Sequence, residues 1–511
     1  MPTETPPLLR LTLAGMVAAL VLHLLVLLYG GWSGIHAPTA IEYGEPFIVS
    51  ASYYSASGGS LYAPVDDLPF LHNNYNPLVQ LAVGPMLADG GPSYAPIRAV
   101  TLGSILFILL LLAWMVRRST GSRVAAVVGA LLPLTCGFMF PWMCVGRVDG
   151  FATLCSVGAF AWAVAHQDAS WRRRAWFLVL AWVAFAAKQS VVGGCGAALL
   201  LALSRGRWKE CFGLGLVFTA GCAAIVGVAQ WLSDGQYWLH AIAYNASHDR
   251  GSWWPQTLPP LEMARAIGWP LLLLAVLILP RVRREDAPWV CWLVVTLPLA
   301  FLLVRKSGSH MHYFLESVGA LSVLGAIVGT RAVRAWTSLG WTRRTAALIA
   351  LVALASAPGI PWKNPRTWQS GGYFKWQQAK GLRRLVDSAD PVPAEVRRRI
   401  TSSKRSPLLL AQTATIAIEC GRPAIFDVAD FARLQALGRW SAEDRLLPMI
   451  RARRFPVVAI QHFKPDFTDG HLFTVDAIDG LKAAIETHYR PLPGGFVDRS
   501  KHEATFWVPK D

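Results

Sequence analysis

Two glutamates, Glu42 and Glu45, stand three residues apart in Ile41-Glu-Tyr-Gly-Glu-Pro-Phe, shortly after the first long apolar run. A carboxylate so placed can act as a general base, taking a proton from an attacking hydroxyl. Downstream come Ser57-Gly-Gly-Ser-Leu-Tyr-Ala-Pro, Asp66-Asp67 and His72-Asn-Asn-Tyr-Asn-Pro-Leu, which contains Asn74, Tyr75 and Asn76. Acids, amides and aromatics of this kind suit a polar group carried on a lipid. A solvated loop capped by turn residues is the competing account. A second set is cationic: Arg147, Lys188, Arg250, Arg305 and Lys306, accompanied by His248, His310, His312, Asp149, Tyr244 and Asn245. Several cationic donors converging from separate segments are what a phosphate or pyrophosphate needs. His310-Met-His312 is a weak two-ligand metal pattern with no partner spacing. Glu316 follows, beyond Tyr313, and is expected to pair with one of the cations.

These residues need elements to hold them, and the composition says which kind. The chain has 511 residues, 54% of them hydrophobic and only 15% charged, whereas soluble domains carry roughly a quarter charged residues. Leu11–Tyr29 and Ala99–Val116 are apolar runs long enough for the hydrocarbon core, which takes about 20 residues. The first run follows a single Arg10 and lacks a small-residue cleavage site, so it predicts a retained helix rather than a signal peptide. The formal charge of +17 invites a nucleic-acid partner. Its basic clusters, however, fill short gaps between apolar runs, as cytoplasmic loops of membrane proteins do, and no nucleic acid is expected. The eight cysteines include no CxxC pair, and seven lie in or beside apolar segments, as small core residues do.

Basic clusters set the topology. Arg117-Arg118 with Arg123, Arg172-Arg173-Arg174, Arg205 with Arg207 and Lys209, Arg281 with Arg283 and Arg284, and Arg331 and Arg334 with Arg343 and Arg344 mark the inner turns. Spans are predicted near 8–30, 94–116, 124–144, 150–167, 175–187, 190–204, 211–232, 263–280, 287–304, 312–330 and 345–359. The stretch 175–204 is read as two short helices turning at Lys188-Gln189-Ser190, because basic clusters flank both of its ends. These eleven crossings put the N-terminus inside and the C-terminus outside. Residues 1–360 form the membrane domain, with a long outer loop at 31–93. Residues 361–511 form a small outer α/β domain. There, 407–412 and 455–461 predict buried strands, and 432–454 and 476–489 predict amphipathic helices. The cations named above then fall on outer turns, where the positive-inside rule does not place them. Many of the 22 tryptophans fall at span edges, as an interfacial belt does.

This α-helical polytopic pattern resembles the GT-C superfamily of membrane glycosyltransferases, which includes protein mannosyltransferases and aminoarabinose transferases. Four stretches carry the resemblance: Glu42-Tyr-Gly-Glu45 with Gly58-Gly-Ser-Leu-Tyr62, Asn74-Tyr-Asn-Pro-Leu78, Arg147-Val-Asp149, and Lys306-Ser-Gly-Ser-His-Met-His-Tyr-Phe-Leu-Glu316. The resemblance implies transfer of a sugar from a polyprenyl-phosphate donor to an acceptor hydroxyl on the extracytoplasmic side of the inner (plasma) membrane. The acceptor is a glycan, lipid or protein. Glu45 or Glu42 would be the base, and Arg147, Lys188 and Arg305 or Lys306 would hold the donor phosphate. No cofactor is expected, and a divalent metal stays open. The chain departs from many members in having Glu-x-x-Glu in place of Asp-Glu, and His312 where relatives often have Asn. A transporter or flippase for a lipid-linked substrate, or a non-catalytic membrane scaffold, are the alternatives. Neither the 60-residue first loop nor the one-sided polar residues favours them.

Overall fold

A computed structural model describes residues 7–42, 44–136, 139–244, 282–304, 311–335, 394–402, 409–411, 417–418, 420–436, 438–462, 475–492, 496–497 and 503–510. The protein is mostly helical and is a multi-pass membrane protein. Five described helices are long and apolar enough to cross a bilayer: Leu9–His36, Ala95–Thr120, Trp208–Leu232, Arg284–Val304 and His312–Arg334. The predicted spans at 263–280 and 345–359 lie outside the described residues. The chain divides into two compact units. One comprises Met1–Gly34, Arg98–Ile225 and His248–Leu382, and the other Ile35–Ile97, Val226–Ser247 and Arg383–Asp511.

The first unit is a helical bundle. Its centre is His312–Arg334, where 83% of the apolar window is buried inside the protein, against 6% for Trp208–Leu232. The latter leaves nearly all of its apolar surface uncovered by the described protein. The predicted single helix at 124–144 is not continuous. Helix Arg123–Leu131 passes into a 3₁₀ turn at Leu132–Thr135, and helix Met139–Cys144 follows. Pro133 has no N–H to continue the α-helical ladder, and the chain tightens there.

Side chains tie the basic turns together at one end of this unit. Arg118 Nη2 donates to Ala165 O at 3.3 Å, and Arg334 Nη2 to Thr120 O at 2.7 Å. Arg174 holds Glu210 through two bonds of 2.6 Å, and Arg205 Nη2 reaches Gln167 Oε1 at 2.6 Å. Arg331 grips both oxygens of the buried Asp286 at 2.7 and 2.6 Å. The ends of 175–204 therefore meet at the same face. The two helices between them are Phe177–Ala187 and Gly193–Ser204, broken at Lys188 as the flanking charges predict. A single crossing would have carried Arg174 and Arg205 to opposite faces.

Helix Gly193–Ser204 packs backbone against backbone. Gly194 N–H donates to Ser156 Oγ at 2.8 Å on helix Asp149–Ala165. A Cβ on Gly194 would meet the Ser156 carbonyl group itself, with its carbon at 2.7 Å. Backbone cannot swing aside as a side chain does, so Gly194→Ala is expected to destabilise the bundle by about 3 kcal/mol. Thermal unfolding in detergent checks this, and an unshifted midpoint would contradict the close approach.

The second unit joins the first loop to the C-terminal residues. The loop is not the solvated connector that its turn residues allow. Pro46 and Glu45 start a helix, Glu45–Ala56, with the acid in the first turn, where the helix dipole favours it. Among the described residues, five strands form one sheet: β1 Leu409–Ala411, β2 Val457–His462, β3 Tyr489–Pro491, β4 Phe496–Val497 and β5 Glu503–Pro509. The order is β1-β2-β5-β3, with β4 also on β5. β1 runs parallel to β2, and the remaining pairs are antiparallel. β1 and β2 are the two predicted strands. The predicted helix at 432–454 is instead Val428–Ala436, Ala442–Arg445 and Leu447–Arg451. Gly438, at φ +63°, turns the chain between the first two. One core contains Val65 and Phe70 from the loop together with Phe426, Phe431 and Trp440. A second places Leu71 with Val396, Leu409, Val457 and Phe506. Ser50 Oγ accepts the Ala424 N–H at 2.9 Å.

Candidate active site

In the first unit, four of the residues singled out by type come together. Helix Asp149–Ala165 is 17 residues long, roughly 25 Å at 1.5 Å per residue. Its Ala165 end lies at the tied basic face, so Asp149 lies at the other. Lys188, at the break between the two short helices, donates its Nζ to Asp149 Oδ1. His312 Nε2 is 3.1 Å from that oxygen and 3.1 Å from Lys188 Nζ. Arg147 Nε is 3.7 Å from Asp149 Oδ2. All four side-chain groups belong to residues no more than 5% exposed. Two basic side chains and a histidine thus share one carboxylate out of contact with bulk water. Removing that carboxylate would leave buried positive charge uncompensated, which is costly, and an added anion would meet the excess of positive charge.

Aromatic rings frame the cluster. Trp142 lies under the Arg147 guanidinium at 5.8 Å and against His312 at 4.7 Å. Tyr313 lies under Lys188 Nζ at 4.5 Å. Thr101 Oγ1 clamps the Arg147 backbone, donating to its carbonyl at 3.1 Å and accepting its N–H at 3.3 Å. Beside the cluster is a cavity lined by Asp149, Ser190, Gly193, Thr296, His312, Tyr313 and Glu316. Glu316 is buried there, but its polar neighbours are Ser156 and Trp292. Among the described residues no cation pairs with it, and the expected partners Arg250, Arg305, Lys306 and His310 lie outside the described residues. It sits where the chain spares it a side chain, since a Cβ on Gly193 would collide with its carboxylate.

In the second unit, Glu45 is fully buried at the head of its helix, and its Oε2 accepts the Ile41 N–H at 2.7 Å. Glu42 is half-buried, with Oε2 accepting the Gly44 N–H at 2.9 Å. Asn76 is fully buried and takes the Tyr237 hydroxyl on Oδ1 at 2.5 Å. Asn74 and Tyr75 are half-buried, and Tyr75 O accepts from the Tyr62 hydroxyl at 2.6 Å. Burial pushes the Tyr237 phenol up to about 12 and Tyr62 well above its ordinary value, so both stay hydrogen-bond donors rather than bases. His72 and His240 stack at 5.2 Å, and His240 Nδ1 accepts the Asn73 N–H at 3.0 Å.

Arg250, Arg305, Lys306 and His310 lie outside the described residues. Trp142, Thr101 and Thr296 were not foreseen. Each is an unremarkable member of an apolar run, and only contact with distant residues gives it a part. Arg98 was also missed: it is 1% exposed and donates to Gly34 O at 2.7 Å. A lone arginine inside an apolar run was its only signal.

No protein-family model matches the chain, and no curated protein sequence matches it. Solved structures do. ArnT from Cupriavidus metallidurans bound to undecaprenyl phosphate superposes with a TM-score of 0.58 at 12% identity, covering 95% of this chain and 97% of that one. Its apo state gives 0.59 with the same identity and coverage. The apo oligosaccharyltransferase of Archaeoglobus fulgidus gives 0.52 at 11% identity, over 94% of this chain and 73% of that one. Identities this low speak for architecture alone, and that architecture spans nearly the whole chain: it has the fold of the GT-C membrane glycosyltransferases, the superfamily its motifs resemble.

Proposed function

We propose that the protein is an inverting glycosyltransferase that moves a sugar from a polyprenyl-phosphate donor to an acceptor hydroxyl. The observation that carries this is the buried Arg147–Asp149–Lys188–His312 cluster on a fold shared with ArnT. In the reaction, the acceptor oxygen bonds to the anomeric carbon as the bond from that carbon to the donor phosphate breaks. Negative charge develops on the leaving phosphate, and Lys188 and Arg147 are the groups to stabilise it, with Arg305 and Lys306 assigned to the same task. His312, Tyr313, Asp149 and Glu316 are assigned to the donor through the cavity they line. Asn74, Tyr75 and Asn76, together with Arg250 and His310, keep substrate-binding roles.

The proton from the acceptor goes to a glutamate of the first loop. Glu42 is our first choice, because Glu45 is fully buried and occupied with its own turn. The basic face is assigned to the cytoplasm by the positive-inside rule. Residues 361–511 are assigned to the extracytoplasmic side of the plasma membrane. Membranes carrying Glu42→Gln are expected to transfer sugar about 10²–10⁴-fold more slowly, with Glu45→Gln less affected. Transfer is followed with a radiolabelled polyprenyl-phosphate sugar pool. Undiminished transfer by the double Gln variant would sink the carboxylate base.

A further inference from the structure

The basic face of the first unit carries a feature that sugar transfer does not use. Two segments there begin with the same pair, a tryptophan followed by a cation: Trp171-Arg172 and Trp208-Lys209. Both indoles are exposed, Trp171 at 59% and Trp208 at 55%. Arg172 lies over the Trp171 ring at 6.0 Å, and Lys209 over the Trp208 ring at 5.4 Å. The two-bond contact between Arg174 and Glu210 draws the segments together. That ion pair occupies Glu210, and the nearby Asp168 is 3.5 Å from Arg205. Arg172, Arg173 and Lys209 have no carboxylate within ion-pair distance among the described residues, and all three are exposed. At one corner of the bundle, cations therefore stand beside amphipathic rings, and the apolar surface of Trp208–Leu232 continues away from them.

We propose that this corner is a binding site for an anionic phospholipid. The headgroup phosphate meets Arg172, Arg173 and Lys209, the indoles lie at the boundary between headgroup and acyl chain, and the chain follows helix Trp208–Leu232. Indoles prefer that depth, and clustered cations beside a span attract anionic lipid. A general cytoplasmic excess of charge would not require the cations to be mounted on exposed indoles, nor two such mounts to be joined by a two-bond ion pair.

The test uses the full chain, purified and delipidated, with lipid retention followed by native mass spectrometry. Phosphatidylglycerol is expected to be retained and phosphatidylcholine with the same acyl chains to be lost. At about fivefold per cation, the R172Q/R173Q/K209Q variant is expected to bind phosphatidylglycerol roughly a hundredfold more weakly. The charge-keeping R172K/R173K/K209R variant should bind as the parent does. Raised salt should weaken lipid binding, and inorganic phosphate should displace no more lipid than sodium chloride of equal ionic strength. Equal retention of both lipids, undiminished binding by the Gln variant, salt-insensitive binding, or displacement by inorganic phosphate beyond that of sodium chloride would each overturn the proposal. The salt and phosphate arms need only the parent protein, so they decide even if the Gln variant fails to fold.

Discussion

Lys188→Met is expected to lower sugar transfer by about 10²–10³, the usual effect of removing one donor from a developing oxyanion. The methionine keeps most of the lysine's stem volume, so the change isolates the charge. Lys188 is 4% exposed, donates to Asp149, and lies 3.1 Å from His312 and 4.5 Å from the Tyr313 ring. Asp149 keeps Arg147 at 3.7 Å and His312 at 3.1 Å after the substitution, so its charge is not abandoned and the bundle should still fold. The loss should fall on kcat, because the charge that Lys188 meets grows as the phosphate leaves. Lys188→Arg retains the charge and should recover part of the rate. The measurement is transfer kinetics alongside the thermal midpoint of the same preparation. A folded Lys188→Met protein with parental kcat would remove Lys188 from the phosphate site.

Phe70→Ala is expected to cost about 3–5 kcal/mol of stability, the range for a buried phenylalanine truncated in a core. Phe70 is 2% exposed, and its ring centre is 6.0 Å from both Phe431 and Trp440. If the first loop were a solvated connector, the change would fall within about 0.5 kcal/mol, as surface substitutions do. Denaturant unfolding separates the two outcomes. Limited proteolysis adds a location: the C-terminal residues should become sensitive along with the loop, because the two share one core.

The sequence carried much of this where the signal is local or electrostatic. Flanking arginines were enough to break 175–204 at Lys188, because a charge cluster on each end forbids a single crossing. The pairing of Arg174 with Glu210 and Arg205 with Gln167 is that same logic made concrete. The strands at 409–411 and 457–462 were legible as short apolar runs. Helix breaks at Pro133 and Gly438 were harder, since apolar periodicity continues through both. The described polar neighbours of Glu316, Ser156 and Trp292, lie on other helices, and no local signal in the sequence announces them. Arg147, Asp149, Lys188 and His312 could each be picked out by type. Arg147 and Asp149 are neighbours in the chain, but that Lys188 and His312 meet them at one carboxylate depends on where three separate helix ends finish, and no spacing along the chain encodes it.

The bond from Ala424 N–H to Ser50 Oγ joins residues 374 positions apart in the chain. At a synthesis rate of about 5–20 residues per second, Ser50 waits roughly 20–75 s for its partner to be made. Throughout that time Phe70, Leu71 and Val65 have no core to enter. The first loop is thus among the earliest segments to be made and among the last to fold. Its protection during that wait falls to whatever covers apolar segments at the membrane surface, and a chain arrested before its final third would leave the glutamate loop unfolded rather than merely lacking a tail.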